Sequence, residues 1–315
     1  MIVTLTLNPS LDRTLEIGRL ARGAVQRAAR ARLDPGGKGV NVTRALLANG
    51  VDSRAVIPCG GPDGDELVKL LASEAVAVVA VRIAGHTRSN VTLAESDGVV
   101  TKINEPGAPL RPEEFETVAA TVQEHAGPGG WVVLCGSLPP GLPADAYAVL
   151  TRRFAAAGVR VAVDTSGPAL PAAAAAGPDL LKPNREELAD AVGAPLGGLG
   201  DVVAAAERLR GLGAGAVLVS LGADGAVLVD GGGVRLARAA PVEARSTVGA
   251  GDALLAGFLA AGACGPAALA EAVAWGTAAV ALPGSRMPGP ADIRREGVRL
   301  VDDPLPRAGA PAGTH

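Results

Sequence analysis

The chain has 315 residues, 48% of them hydrophobic and 19% charged. That composition excludes a disordered polymer and is long enough for one large or two ordinary domains with no disulfide or metal staple. With 29 basic against 32 acidic residues the net charge is −3, so no general nucleic-acid or anionic-membrane surface is expected, and an anionic ligand must meet a local cluster.

In chain order, strand-length apolar runs fall at 2–7, 54–58, 131–135, 159–163, 179–182, 216–220 and 226–230. Stretches with helical spacing lie between or after them at 38–49, 63–74, 112–125, 143–157, 185–192, 200–212, 250–262 and 267–281. Strand alternating with helix predicts an α/β fold with a mostly parallel sheet covered on both faces by helices. Such a sheet takes its ligands at the carboxyl ends of its strands. Residues 13–33 and 87–104 break the rhythm with period-two patterning, and Asp97-Gly98 between alternating runs predicts a hairpin. These insertions predict a small sheet over one edge of the domain. Alanine-rich 172–176 reads as compositional, and the Pro-rich tail from Asp302 is expected to be disordered.

The N-terminus shows no basic region before its apolar run, so no export signal is expected. Ala253 to Ala270 is free of charge, yet Gly262, Gly265 and Pro266 interrupt it, and a buried helix is expected rather than a membrane span. Cys59, Cys135 and Cys264 are an odd number without a CxxC pair, which suits a reducing, cytoplasmic setting.

Only four of the 29 basic residues are lysines, and two of these stand where a ligand could be met. Lys38 follows Gly36-Gly37, and Lys182 ends a strand before Pro183-Asn184. In Gly36-Gly37-Lys38-Gly39-Val40-Asn41 the glycines let a ligand approach the backbone at a helix start, and Lys38 and Asn41 share one helical face. A plain Gly-rich turn is the other explanation. No Walker A loop occurs. Thr247-Val248-Gly249-Ala250-Gly251-Asp252 leads into an apolar helix, whose N–H groups and dipole favour an anion such as a transferring phosphoryl group. Asp252 there could be a base or a simple capping residue. Asn184 and Glu187 have the spacing of a capping box, or Glu187 could hold waters on a triphosphate-bound Mg²⁺. Ser220-Leu221-Gly222-Ala223-Asp224-Gly225 is a strand end and tight turn able to receive a nucleotide.

Together these segments, with Leu7-Asn8-Pro9-Ser10-Leu11-Asp12, resemble the PfkB (ribokinase-like) sugar kinases over nearly the whole chain. Thr87-Arg88-Ser89-Asn90 and Thr101-Lys102-Ile103-Asn104-Glu105-Pro106-Gly107 are most similar to the branch that phosphorylates ketohexose phosphates. The resemblance implies one ribokinase-like kinase domain over 1–301 with a β lid. It implies ATP against Lys182, Asn184, Glu187, Ser220, Gly222 and Gly225, with Mg²⁺ near Glu187. The sugar phosphate would lie against Asp12, Gly37, Lys38, Asn41, Arg88, Asn90 and Ser137. Asp252 would take the proton of the attacking hydroxyl, and Gly249, Ala250 and Gly251 would direct N–H groups at the γ-phosphate.

Fructose 1-phosphate is the expected acceptor, with tagatose 6-phosphate and fructose 6-phosphate as alternatives. A non-catalytic sugar-phosphate sensor is the alternative of another class, and a dinucleotide oxidoreductase a distant third. The acceptor's own phosphate is expected to meet Arg88 and Lys38, while Arg27 and Lys102 fit solvated strand charges. Residues 279–288, expected near the base, lack the asparagine that relatives often offer there. A homodimer through the lid is the expected assembly.

Overall fold

The computed structural model describes residues 1–302 and Pro304. In chain order the elements are β1 (Ile2–Thr6), β2 (Ser10–Ile17), β3 (Arg30–Gly36), α1 (Lys38–Ala48), β4 (Ser53–Cys59), α2 (Gly61–Ser73), β5 (Val78–Arg82), β6 (Arg88–Glu95) and β7 (Val100–Asn104). Then come α3 (Pro112–His125), β8 (Trp131–Cys135), α4 (Ala146–Ala156), β9 (Arg160–Asp164), α5 (Ala169–Ala174), β10 (Leu180–Leu181), α6 (Arg185–Val192) and α7 (Leu199–Leu212). The rest are β11 (Ala216–Ser220), β12 (Ala226–Asp230), β13 (Gly233–Ala239), α8 (Ala250–Ala260), α9 (Gly265–Val280) and β14 (Val298–Asp302).

The main sheet runs β14-β13-β12-β11-β10-β9-β8-β1-β4-β5. Its strands from β5 to β11 are parallel, and β12, β13 and β14 continue it antiparallel. Alternate residues of one strand enter different layers, as the two-residue strand period requires. Val132 and Leu134 of β8 pack with Phe154 of α4 and Val118 of α3, whereas Val133 and Cys135 pack with Leu255 and Phe258 of α8. Helices therefore cover both faces, and this is why these strands read as unbroken apolar runs.

From β1 the sheet grows outward through β4 in one direction and through β8 in the other. The loops after β1 and β8 thus diverge at the carboxyl edge and leave the crevice in which ligands of open α/β sheets bind. A second sheet, β3-β2-β6-β7, is built from the two insertions read as a small sheet. Gly36 ends β3 and Gly37 caps α1, so this sheet is tied directly to the crevice.

Several elements differ from the sequence reading. Helix α5 occupies part of the alanine-rich stretch taken as compositional, held by Leu170 and Ala173 in the core. Strands β5, β13 and β14 carry weaker signals. In β13, Val234 and Leu236 alternate with Arg235, and only pairing with β12 makes that pattern a strand. The tail expected to be disordered begins at Asp302, but the backbone of Asp302 still pairs with Arg235 in the ladder, a register set by the β13 edge. Beyond that residue the expectation lies outside the described residues, Pro304 aside. Ala253 to Ala270 divides between α8 and α9, and among the described residues no helix is long and apolar enough to cross a membrane.

Phe154, fully buried between α4 and the sheet, tests the layer that supports β8 and β9. Phe154→Ala should lower unfolding free energy by about 3–5 kcal/mol in urea denaturation while leaving ligand affinity near that of the parent.

Candidate active site

At the carboxyl edge, three chain segments bring four charged groups together. Asp164 ends β9 with no exposed surface, and its Oδ1 accepts a hydrogen bond of 2.6 Å from Lys38 Nζ. Lys182 Nζ lies 3.1 Å from its other oxygen. Lys38 opens α1 and also donates to Glu187 Oε1 at 3.0 Å. Burial alone would push the Asp164 carboxyl up, but Lys182 and Lys38 together hold it below the usual carboxylate range. Burial likewise works against the Lys38 ammonium, yet the charges of Asp164, Glu187 and Asp252 outweigh it and raise its pKa.

Asp252 stands in the first turn of α8, 7% exposed. Its Oδ2 accepts a 2.9 Å hydrogen bond from Asn41 Nδ2, one turn beyond Lys38 on α1. Burial pushes its carboxyl up to about 6 and the Asp164 charge adds to this, while Lys38, the Asn41 hydrogen bond and Lys182 oppose it. Gly249 caps α8 with φ +77°, and a Cβ there would lie 2.5 Å from Met287 Cε. Glycine is therefore required for the turn that aims the first N–H groups of α8 outward, where helix geometry leaves them without intrahelical partners. A Cβ on Gly251 would reach within 3.4 Å of Lys182 Nζ, so the lysine stands at the same helix mouth.

Beside that mouth opens a cleft of about 820 Å³. Asn184, Ser220, Gly222 and Gly225 line one side, Ala250, Gly251 and Leu254 lead to the helix end, and Val273, Gly276, Thr277 and Val280 of α9 form the far wall. The volume suits a nucleotide-sized ligand. Residues 283–287 do not reach this cleft. Pro283, Ser285, Arg286 and Met287 instead border a separate cavity of about 390 Å³ with Arg44 and Glu74. Of residues 279–288 only Val280 lines the cleft, beside Thr277 and Gly276 of the same helix.

On the other side lies the small sheet. Period-two alternation and its register put Ser10, Asp12, Arg88, Asn90 and Asn104 on one face. Asp12 Oδ1 accepts from Ser10 Oγ at 2.7 Å and from Asn90 Nδ2 at 2.9 Å. A Cβ on Gly36 would lie 2.5 Å from Asp12 Oδ2, so glycine keeps that carboxylate in place. Asn90 Oδ1 is buried without a partner in the protein, an unused acceptor on that face. Half-buried Arg88 donates to the carbonyls of Asn8 and Glu105, at 3.2 and 3.0 Å. Ser137 Oγ accepts from Asn8 Nδ2 at 3.4 Å.

The structure accordingly gathers the predicted residues into two neighbouring clusters. Asp12, Arg88, Asn90 and Ser137 form the lid side, and Lys38, Asn41, Lys182, Glu187 and Asp252 form the sheet side. Gly37 lies at their junction. Asn184 and Glu187 do form the capping box, Glu187 N donating to Asn184 Oδ1 and Asn184 N to Glu187 Oε2. The capping explanation of that pair therefore holds, and Glu187 spends its other oxygen on Lys38. Arg27 and Lys102 are exposed, as solvated charges.

Two residues of the constellation escaped the sequence reading. Asp164 is the acidic end of an otherwise apolar strand whose predicted boundary stops one residue short, and an acid at a strand's carboxyl end was the available signal. Arg44, 9% exposed, donates to Asn41 Oδ1 at 3.3 Å, and a lone arginine inside a helix carries no such signal. Among the described residues no group of three or more His, Cys, Asp or Glu could cage a metal ion. Of the two carboxylates on Lys38, Asp164 has no exposed surface and Glu187 keeps 15%, so a cation brought in by a ligand would meet Glu187, through water.

Comparison with known proteins identifies the family and the fold. The profile of the pfkB family carbohydrate kinases matches residues 5–286. A Rhodobacter capsulatus protein named 1-phosphofructokinase is 42% identical over 260 residues, covering 82% of each chain. The Escherichia coli ATP-dependent 6-phosphofructokinase isozyme 2 is 38% identical over 281 residues, covering 88% of this chain and 90% of its own. A crystal structure of Escherichia coli phosphofructokinase-2 in complex with substrates and products superposes with a TM-score of 0.86 at 37% identity, over 92% of this chain and 96% of that one.

The raised carboxyl of Asp252 has a consequence for stability. Its folded pKa of about 6 exceeds the unfolded value of roughly 3.9, so the folded state holds the proton more tightly and loses stability as pH rises between the two. Asp252→Asn should remove that loss. In thermal melts the variant should be more stable than the parent at pH 7, and the difference should shrink toward pH 4.

Proposed function

Because the chain belongs to the pfkB family of carbohydrate kinases, we propose that it transfers the γ-phosphoryl group of ATP to fructose 1-phosphate, giving fructose 1,6-bisphosphate. The observation that carries this reading is the convergence of the buried Asp252 carboxylate and the amides at the start of α8 on one opening, between a nucleotide-sized cleft and a polar lid. Asp252 accepts the proton of the C6 hydroxyl as its oxygen attacks phosphorus, and ADP leaves with the electrons of the broken P–O bond. The amides of Gly249, Ala250 and Gly251 receive the charge of the transferring group.

ATP occupies the cleft along Asn184, Ser220, Gly222 and Gly225, with Lys182 at its phosphate end. Glu187 would hold Mg²⁺ through water, and the ion would supply positive charge against the phosphates of ATP. Asp12 and Asn90 orient the sugar hydroxyls, with Gly37, Lys38, Asn41 and Ser137 bordering the same space. Arg88 takes the acceptor's own phosphate. At about 4 Å and an effective dielectric of 20 such an ion pair is worth up to about 4 kcal/mol, against under about 1 in water. Acceptor affinity thus depends on the lid excluding solvent. The reaction belongs to a cytoplasmic protein, in keeping with its three free thiols.

The likeness to the Escherichia coli ATP-dependent 6-phosphofructokinase isozyme 2 favours fructose 6-phosphate as the second reading. A coupled ADP-release assay with fructose 1-phosphate, fructose 6-phosphate and tagatose 6-phosphate separates them. The highest kcat/KM is expected for fructose 1-phosphate, and equal values for all three would overturn the choice. Asp252→Asn should fold and bind both substrates while kcat falls roughly 10²–10⁴-fold. Near-normal turnover would remove Asp252 from its role.

The chain also pairs with a second copy through the outer face of the small sheet. The side opposite Asp12 carries Leu15, Leu33, Val91, Leu93 and Ile103, with Ile103 58% exposed. A relative's structure is described as a tetrameric inhibited form of phosphofructokinase-2. Sedimentation should give a dimer for the parent and a monomer for Ile103→Asp. A parent that sediments as a monomer at assay concentrations would rule the pairing out.

A further inference from the structure

We propose that Arg44 is a positioning residue for the base, fixing the Asn41 amide in the one orientation that puts its N–H, and not its carbonyl, on the Asp252 carboxylate. The inference rests on the reading of Asp252 as the base. Asn41 and Arg44 lie three residues apart on α1 and share a face. An amide has a donor end and an acceptor end of nearly the same shape, and a half-turn about its last bond would set the carbonyl oxygen against Asp252. At 7% exposure Asn41 has little water to correct such a turn. Arg44 NH1 donates to Asn41 Oδ1 at 3.3 Å, which commits that oxygen and leaves Nδ2 for Asp252 at 2.9 Å.

Arg44 can hold the amide because it is held itself. Its Nε and NH2 donate to the two oxygens of Glu74 at 2.6 and 2.9 Å, and NH1 also donates to the Ser285 carbonyl at 3.0 Å. Glu74 caps the end of α2 and Ser285 follows α9, so three parts of the chain fix one guanidinium. Serving these acceptors at set angles needs the planar fork of arginine, which a lysine ammonium does not have. Arg44 does not line the nucleotide-sized cleft. It borders the smaller cavity behind α1, so its effect on Asp252 passes through Asn41.

The Asn41 hydrogen bond favours the ionised form of Asp252. Losing it would strengthen the carboxyl's hold on its proton. The groups that face Asp252 from the elements around it are Asp164, Lys38, Lys182 and the buried thiol of Cys135. Around Arg44 they are Glu74, Asp34, Arg32 and Arg286. Lys38 and Lys182, the two ammonium donors facing Asp252, are engaged by Asp164, and Lys38 by Glu187 as well.

The test is the pH dependence of kcat/KM together with thermal melts. In Arg44→Met, which keeps the apolar stem, the acid limb should move up by about one pH unit, so that kcat/KM should fall roughly ten-fold on the acid side of the limb and roughly two-fold at neutral pH, the size of one hydrogen bond to a charged group. The KM for ATP should hold. Arg44→Lys should not restore the parent profile, and Arg44→Met placed on Asn41→Ala should slow the enzyme no further. An unmoved acid limb, or losses that multiply in the double variant, would make Arg44 a structural residue and overturn the proposal. Should Arg44→Met fail to fold, Glu74→Gln loosens the same guanidinium and must shift the limb in the same direction. If Asp252→Asn keeps near-normal turnover, the base assignment fails and this inference falls with it. If Asp252→Asn is inactive and the limb stays put, this inference alone fails.

Discussion

An ionised carboxylate removed from water must find its compensation inside the protein, and Asp164 finds it in two ammonium groups. Lys38 and Lys182 come from different elements, α1 and the end of β10, and both lie within 3.1 Å of its oxygens. Leaving such a charge unpaired would cost several kcal/mol. The start of α1, the end of β9 and the turn into α6 are therefore locked to one another by charge. The rest of the site is measured from this lock. Lys38 brings Glu187 with it, Asn41 follows one turn along α1, and Lys182 reaches the mouth of α8.

The same arrangement sets the chemistry of Asp252. A second carboxylate near the first is held back from ionising by burial and by its neighbour's charge, which is why its pKa sits near 6. That value lets the group be a carboxylate at neutral pH and still bind a proton readily. The opposing Asn41 hydrogen bond keeps the shift from running further. Lid and sheet then divide the work. The sheet side holds groups of fixed charge on rigid strand ends and helix starts, whereas the lid side carries the hydrogen-bonded Asp12 and Asn90 on strands that join the body next to Gly37.

Much of the fold could be read from the chain because its signals are local. The strand 131–135 and the helix 112–125 match their predicted limits, since apolar runs and helical spacing are properties of neighbouring residues. The glycine-rich starts of α1 and α8 were visible for the same reason, and so were Lys38, Asn41 and Asp252 in them. Strand β13, with Arg235 and Arg238 in its seven residues, was not visible, because its burial depends on β12 beside it. Helix α5 was hidden by a composition that fits coil as well as helix until the core of α4 and α7 closes over it.

Residue types, their order and their spacing determined that this chain is an α/β protein with a small added sheet, and where its glycine-rich helix starts fall. They did so because period, turn propensity and helix starts act over a few bonds. Tertiary structure alone decided which groups meet: that Asp164 lies between two lysines, that Glu187 of a helix cap also reaches Lys38, and that Glu74 and Ser285 hold Arg44. Those contacts join residues as many as 241 positions apart, Arg44 to Ser285 being one. Charge and hydrogen-bond energies depend on distance and burial in space, and neither quantity exists until the strands have been ordered into a sheet.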